Sequence, residues 1–467
     1  MTKNKFVSTA LAGAAAMLVA GCSLIPTYER PAAPVPAVYP GAQPASSAAS
    51  PASTLAWQDF FTDPRLAKLI ATALANNRDL RVSVLNIEQA RAQFQIQRAA
   101  QFPALDLSAS GSRQRPSLTG TGVASSYSVG LGVTAWEIDF FGRIASLKEA
   151  ALAQFLATEE SRKATQISLI GAVASGWLTL IADDQLLDLT RQTLTTREES
   201  QRLTRMRFEH GVTSEIDLRL ADTLAESARA SYAEQQRLRM QDENALALLL
   251  GAPVPAEATE GGLGLDAVAP MQDLPAGLPS DLLGERPDIR AAEQQLISAN
   301  ANIGAARAAF FPRVTLTSSI GTASSEFSGL FDKGSKAWSF APQVTLPIFD
   351  AGSNQAGLDS ARAGREIAVA QYEKSIQTAF REVADALAGR ATLGEQLRAL
   401  QAQTSAEEVR FKLSDLRYRN GIASALDLLD SQRSLYSVQL AAVQTRLLQL
   451  QNQVVLYKTL GGGWATR

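Results

Sequence analysis

Reactive side chains are scarce: the 467 residues include one Cys and one His. Neither a metal-ligand set nor a nucleophile with its base can be assembled from Cys22 and His210, so the chain is not expected to be an enzyme or to hold a metal or cofactor. An excess of positive charge is also missing. With 44 Lys and Arg against 46 Asp and Glu, the formal charge of −2 gives no field to attract nucleic acid. The apolar run Leu11–Ala20 is shorter than the roughly 20 residues that span a bilayer as helix. Proline is absent over two long stretches: none of the 19 falls between residues 117 and 252 or after Pro347. Those stretches are open to very long helices.

Lys3 and Lys5 precede the run Leu11–Ala20, which is the layout of a secretory signal over residues 1–21. The run ends in Val19-Ala20-Gly21-Cys22, which resembles a bacterial lipoprotein box. That resemblance implies a covalent lipid on Cys22, which becomes the mature first residue, and Ser23 suits an outer-membrane destination. Residues 22–62 form the extended N-terminal segment, rich in Pro, Ala and Ser between Pro26 and Pro51. It reads either as a strap from lipid to body or as a disordered spacer.

The remainder is a duplication, with repeats over 63–262 and 263–467. Arg207-Phe208-Glu209-His210-Gly211-Val212-Thr213-Ser214-Glu215-Ile216-Asp217-Leu218 reappears as Arg417-Tyr418-Arg419-Asn420-Gly421-Ile422-Ala423-Ser424-Ala425-Leu426-Asp427-Leu428, 210 positions later. In each copy the glycine ends one helix in a left-handed conformation, and Ser-x-x-Asp starts the next, so the stretch reads as the tip of a helical hairpin.

Each repeat opens with a helix, about Leu66 to Gln101 and Ile289 to Phe310, that ends at Phe102-Pro103 or Phe311-Pro312. Alternating residues then predict a strand (Leu105, Leu107, Ala109; Val314, Leu316, Ser318). A Gly/Ser-rich stretch separates it from a second (Tyr127, Val129, Leu131, Val133, Ala135; Trp338, Phe340, Val344, Leu346, Ile348). Aromatic residues near the strand ends suit a membrane interface. Four such strands cannot close a barrel, and an open edge in lipid leaves backbone groups unpaired, so several chains must combine; three would give twelve strands.

Beyond Gly142 and Gly352 the apolar spacing changes to three and four. Helices from Arg143 to Phe208 and from Ser353 to Tyr418 are predicted, each about 100 Å long at 1.5 Å per residue. Return helices, Glu215 to Leu250 and Ser424 to Leu460, reach about halfway back. The link between copies carries Gly261, Gly262, Gly264, Pro270, Pro275 and Pro279.

These residues together resemble the outer membrane factors, the TolC-like tunnels of efflux pumps and type I secretion systems. The resemblance rests on the lipoprotein start, Arg286-Pro287-Asp288-Ile289, Phe311-Pro312, Leu346-Pro347-Ile348-Phe349-Asp350-Ala351-Gly352, Arg417-Tyr418-x-x-Gly421 with Asp427-Leu428-Leu429-Asp430, and Leu460-Gly461-Gly462-Gly463-Trp464. It covers nearly the whole mature chain. It implies a mixed α/β membrane protein: a homotrimer with a twelve-strand outer-membrane β-barrel, four strands per chain, continuous with a long α-helical coiled-coil barrel in the periplasm. The implied partners are outer-membrane lipid, a periplasmic adaptor protein and a proton-driven inner-membrane pump of the resistance-nodulation-division class. The implied work is passive export of drugs and other small amphiphiles. A protein-secretion tunnel and a coiled-coil lipoprotein without a lumen are the alternatives.

By the same resemblance the periplasmic gate falls on Asp427 and Asp430, with Leu426 as apolar neighbour and Tyr418 facing Asp217 across hairpins. Arg433 belongs with them on the sequence alone. It is the one charge on the seam Leu426, Leu429, Tyr436, Leu440, Val443, Leu447, Leu450, Val454, Tyr457, a costly place unless Asp430, three residues back, pairs with it. Asp430 has no acid at the matching position of the first copy, Leu220. It therefore reads either as a ring of three carboxylates in the trimer or as an ordinary partner of Arg433. Where some members of the family carry arginine two residues after the tip glycine, this chain has Ala423, so contacts made by that arginine are not carried over. The tips Gly211-Val212-Thr213-Ser214 and Gly421-Ile422-Ala423-Ser424 are candidates for docking the adaptor's hairpin, and their glycines serve equally as helix caps.

Overall fold

The computed structural model describes residues 23–40, 52–115, 122–258, 264–272, 274–275 and 279–464. The expected signal, Cys22 and the linking Gly261 and Gly262 lie outside the described residues. Each repeat runs from opening helix through two strands to a long helix and a return helix, and in the first the opening helix is divided. The first runs α1 (Pro64–Asn76), α2 (Arg78–Ala99), β1 (Asp106–Gln114), β2 (Ala124–Ile138), α3 (Arg143–Glu209) and α4 (Glu215–Leu250). The second runs α5 (Pro287–Ala308), β3 (Arg313–Ser324), β4 (Lys336–Thr345), α6 (Ser353–Arg419) and α7 (Ala425–Thr459). The proline-free stretches indeed form helices of 67 residues each. Chain contacts divide the molecule into two compact units that cut across the repeats: residues 1–32, 85–159 and 290–374, and residues 33–84, 160–289 and 375–467.

In the first unit the strands form one antiparallel sheet in the order β1-β2-β3-β4. Register gives the sheet two different faces. One row pairs Leu107 with Leu131, Leu131 with Ile320, and Ile320 with Trp338. Those four side chains are 73%, 43%, 69% and 79% exposed. The opposite face is small and polar: Ser110 Oγ meets Ser128 Oγ at 2.8 Å and Ser319 Oγ meets Ser339 Oγ at 2.7 Å. Gly130 pairs with Gly321, where a Cβ on Gly321 would run into the Val129 carbonyl.

Two strand boundaries differ from the expectation. β2 does not end at Ala135: a bulge between Val133 and Trp136, with Ala135 at φ 49°, adds one residue and returns Trp136 and Ile138 to the apolar face beside Leu316 and Val314. β4 stops at Thr345, leaving Leu346 and Ile348 outside it, next to a Pro347 that has no N–H for a ladder.

The N-terminal segment is fastened to this unit, which favours a strap over a spacer for residues 24–30. Arg307 and Asn300 donate to the carbonyls of Leu24 and Pro26, and Tyr28 and Arg30 both donate to Glu293.

In the second unit the expected single opening helix is two. Asn77, at ψ 131°, breaks it; its Oδ1 accepts from Leu80 N–H and starts α2, while its Nδ2 donates to the Leu249 carbonyl. Trp177 is fully buried and its Nε1 donates to the Ala258 carbonyl. α3 holds a stretch apolar enough to cross a bilayer, but 61% of it is buried inside the protein. Tyr457 stacks on Phe60 at 4.1 Å and meets Phe61 edge-on. A Cβ on Gly462 would strike the Tyr457 ring, which explains the need for glycine there. Arg286 is held by Asp288, Glu382 and the Thr459 carbonyl.

Candidate functional site at the hairpin tips

Both tips are built alike, from backbone first. Gly211 and Gly421 have φ of 70° and 73°. Gly211 N–H donates to the Phe208 carbonyl and Val212 N–H to the Arg207 carbonyl; Gly421 and Ile422 repeat this with Tyr418 and Arg417. This double closure is the Schellman arrangement that ends a helix at a left-handed residue. Three residues on, Ser214 and Ser424 accept from the N–H groups of Asp217 and Asp427, whose carboxylates accept from the serine N–H groups in return. The capping function of Asp217 and Asp427 is therefore a fact of the fold.

One polar contact at the caps is made in the first tip and not in the second. Thr213 Oγ1 donates to Asp217 Oδ2 at 2.8 Å, and its counterpart Ala423 has nothing to offer. Hydrogen bonds from Ser214, then Thr213, hold the Asp217 carboxyl below its usual range.

Asp430 sits one turn inside α7 and carries two arginines. Arg410 Nη2 on α6 and Arg433 Nη2 on α7 donate to its Oδ2 and Oδ1 at 2.5 and 2.7 Å, and Arg410 also reaches Glu407. Arg410 first, and Arg433 second, hold the Asp430 carboxyl below the ordinary range. The pairing with Arg433 that the sequence offered is present, and Arg410 joins it.

The seam assigned to α7 holds only from Leu429 onward. Leu426 is 62% exposed, and Arg433 projects from the same outward face of the chain, while Leu428, Leu429, Ser431 and Gln432 take the buried positions. The reason is rotational: 426, 430 and 433 share one stripe of the helix, turned away from the face that buries Leu428 and Gln432, and Arg410 of α6 reaches that stripe at Asp430. Tyr418 is buried against Ala425, Leu428, Leu203 and Phe411, with the Arg207 guanidinium 4.5 Å from its ring centre. Within the chain it meets Arg207, whereas Asp217 is engaged in its own cap.

Sequence reasoning missed Arg410, Arg207 and Ile216. Arg410 and Asp430 stand equally far from Asn420 on either side of the turn, and that symmetry about a hairpin tip was the available signal. Ile216, 80% exposed, matches Leu426 of the second copy; with Val212 and Ile422 they give the tips exposed apolar side chains. Among the described residues no cluster of His, Cys, Asp and Glu could hold a metal.

Comparison with known proteins gives one answer at three levels. The family profile described as outer membrane efflux protein matches residues 69–252 and 278–462. The chain is 50% identical to a probable efflux pump outer membrane protein, TtgC of Pseudomonas putida, over 457 residues, 96% of this chain and 94% of that one. It is 46% identical to the outer membrane protein OprJ of Pseudomonas aeruginosa, over 97% of this chain and 96% of that one. Among solved structures, the open state of the MtrE outer membrane channel of Neisseria gonorrhoeae is similar at a TM-score of 0.85 and 45% identity, covering 95% and 99% of the two chains.

Proposed function

Since the chain belongs to the outer membrane efflux protein family, we propose that it works as the passive exit duct of a tripartite pump, closed at the tips by the Asp430 cluster. It is an outer-membrane channel protein with a periplasmic extension. The observation that carries the reading is the two-faced sheet. The row Leu107, Leu131, Ile320, Trp338 suits lipid, and the Ser and Gly face suits water. β1 and β4 each leave an edge unpaired, which hydrocarbon does not tolerate. Three copies joined β4 to β1 remove every edge and enclose a lumen of about twelve strands.

A partner drives transport through this passive duct. The exposed apolar tips, Val212, Ile216, Ile422 and Leu426, offer the adaptor's helical hairpin a surface, and the glycine turns let its backbone come close. A proton-driven inner-membrane pump supplies the cargo. That cargo consists of drugs and other small amphiphiles, in keeping with relatives named for antibiotic and toluene efflux. A lipid on Cys22 anchors the strap.

Deleting the chromosomal gene and restoring it on a plasmid tests this reading. Sensitivity to amphiphilic antibiotics and retention of a fluorescent efflux dye should rise and then return to the parental level. Unchanged dye retention together with loss of a secreted protein from the medium would replace export of small molecules with protein secretion.

A further inference from the structure

Arg197 is the most isolated buried cation of the helical unit. It is 6% exposed, and among the described residues no carboxylate pairs with it. Its Nη1 donates to the Leu224 carbonyl at 3.3 Å, and the Tyr436 ring centre lies 5.5 Å from its guanidinium carbon. Its Nε has no partner. A buried charge without a counterion is costly, and one carbonyl with one ring face does not replace a counterion.

The unused side of the group is its Nε–Nη2 edge. Elsewhere in this chain that edge grips carboxylates: Arg30 on Glu293, Arg65 on Asp63 and Arg286 on Asp288 each place Nε and Nη2 on the two oxygens of one acid. Two parallel donors of fixed spacing match a carboxylate better than any other common anion.

Arg197 borders a cavity of about 150 Å³ between α3, α6 and α7. Leu189, Leu435 and Phe411 give the cavity apolar walls, and Gln432 lines it with a buried Oε1 that also lacks a partner. Charge alone would suit any anion, but apolar walls around a fork-shaped donor favour an anion with a hydrophobic body. We propose that this cavity binds a small organic carboxylate, an aromatic or branched monocarboxylic acid, with its oxygens on Arg197 and its body against Leu189, Leu435 and Phe411. The site is separate from the tips and from the strands.

The purified full-length protein titrated with sodium benzoate, by calorimetry and by thermal shift at constant ionic strength, tests the assignment. Saturable binding and a rise in melting temperature are expected, with acetate at least about tenfold weaker for want of a body to fill the walls. Arg197→Gln should abolish binding. Arg197→Lys, which keeps the charge in the helix packing and loses the fork, should weaken it at least about tenfold. Absence of saturable benzoate binding to the wild-type protein would overturn the proposal, as would undiminished binding to either variant. Phosphate or chloride binding as tightly as benzoate would overturn the carboxylate assignment in favour of a general anion contact.

Discussion

Arg410 and Asp430 lie 20 residues apart in sequence and meet across the second hairpin, Nη2 to Oδ2. The bond joins α6 to α7 where the first copy has no equivalent acid, since Leu220 occupies that place. It fastens the second hairpin, whereas the first is tied by Asp222, which accepts from Gln201 and Arg205 across the turn, and by the Arg229–Glu198 pair. Arg410→Ala should loosen only the second hairpin. Cysteine pairs placed across each tip and spin-labelled would report a broader distance distribution in the second hairpin and an unchanged one in the first.

Because Arg410 and Arg433 depress the Asp430 pKa, the cluster has a defined pH response. A depressed carboxyl contributes above its unfolded pKa, about 4, and its contribution is lost as pH falls through the lower folded value. Basal conductance should stay flat from about pH 8 to pH 5 and rise only below about pH 4. Recordings across that range check it.

Asp183 responds in the opposite sense. It is 6% exposed, and its Oδ1 accepts from Gln235 Nε2 at 2.9 Å. Burial first, and then the Asp242 carboxyl, push its pKa up to about 7. The folded chain thus holds a proton that the unfolded chain releases near pH 4, so stability falls as pH rises between about 4 and 7. Asp183→Asn should raise the melting temperature more at pH 8 than at pH 5. Equal shifts at the two pH values would mean that the carboxyl is ionised in the fold.

The hairpins were legible in the sequence because glycine caps and Ser-x-x-Asp boxes are local signals, decided within a few residues. Strand faces were legible for the same reason, up to the bulge at Ala135, which a period of two cannot anticipate. What escaped depends on distant partners. Asn77 breaks a helix partly by reaching Leu249, 172 residues away. Arg433 looked like a seam residue because spacing along one helix does not reveal which stripe its neighbours cover, and Arg410 became visible only when the hairpin was closed.

At Gly321 the backbone of β2 comes so close that a Cβ would lie 2.2 Å from the Val129 carbonyl oxygen. Gly321→Val should break the β2–β3 ladder without touching the helical unit. Heat-modifiable trimer on a gel should be lost, while helical content by circular dichroism in detergent stays near the wild-type level.

The exposed tip side chains separate docking from folding. Ile216→Asp and Ile422→Asp change residues that are 80% and 69% exposed, so the trimer should melt within about 0.5 kcal/mol of wild type. Site-specific cross-linking to the periplasmic adaptor should fall several-fold in both. Undiminished cross-linking would place the adaptor elsewhere.

The account rests most heavily on a lumen closed by the Asp430 cluster, and single-channel recording of the purified trimer in a planar bilayer tests that claim most directly. Wild-type protein should show rare, small openings, and Asp430→Ala should raise both conductance and open time while the trimer melts as before. Asp430→Ala currents that match wild type, or a variant that falls apart without leaking, would contradict it.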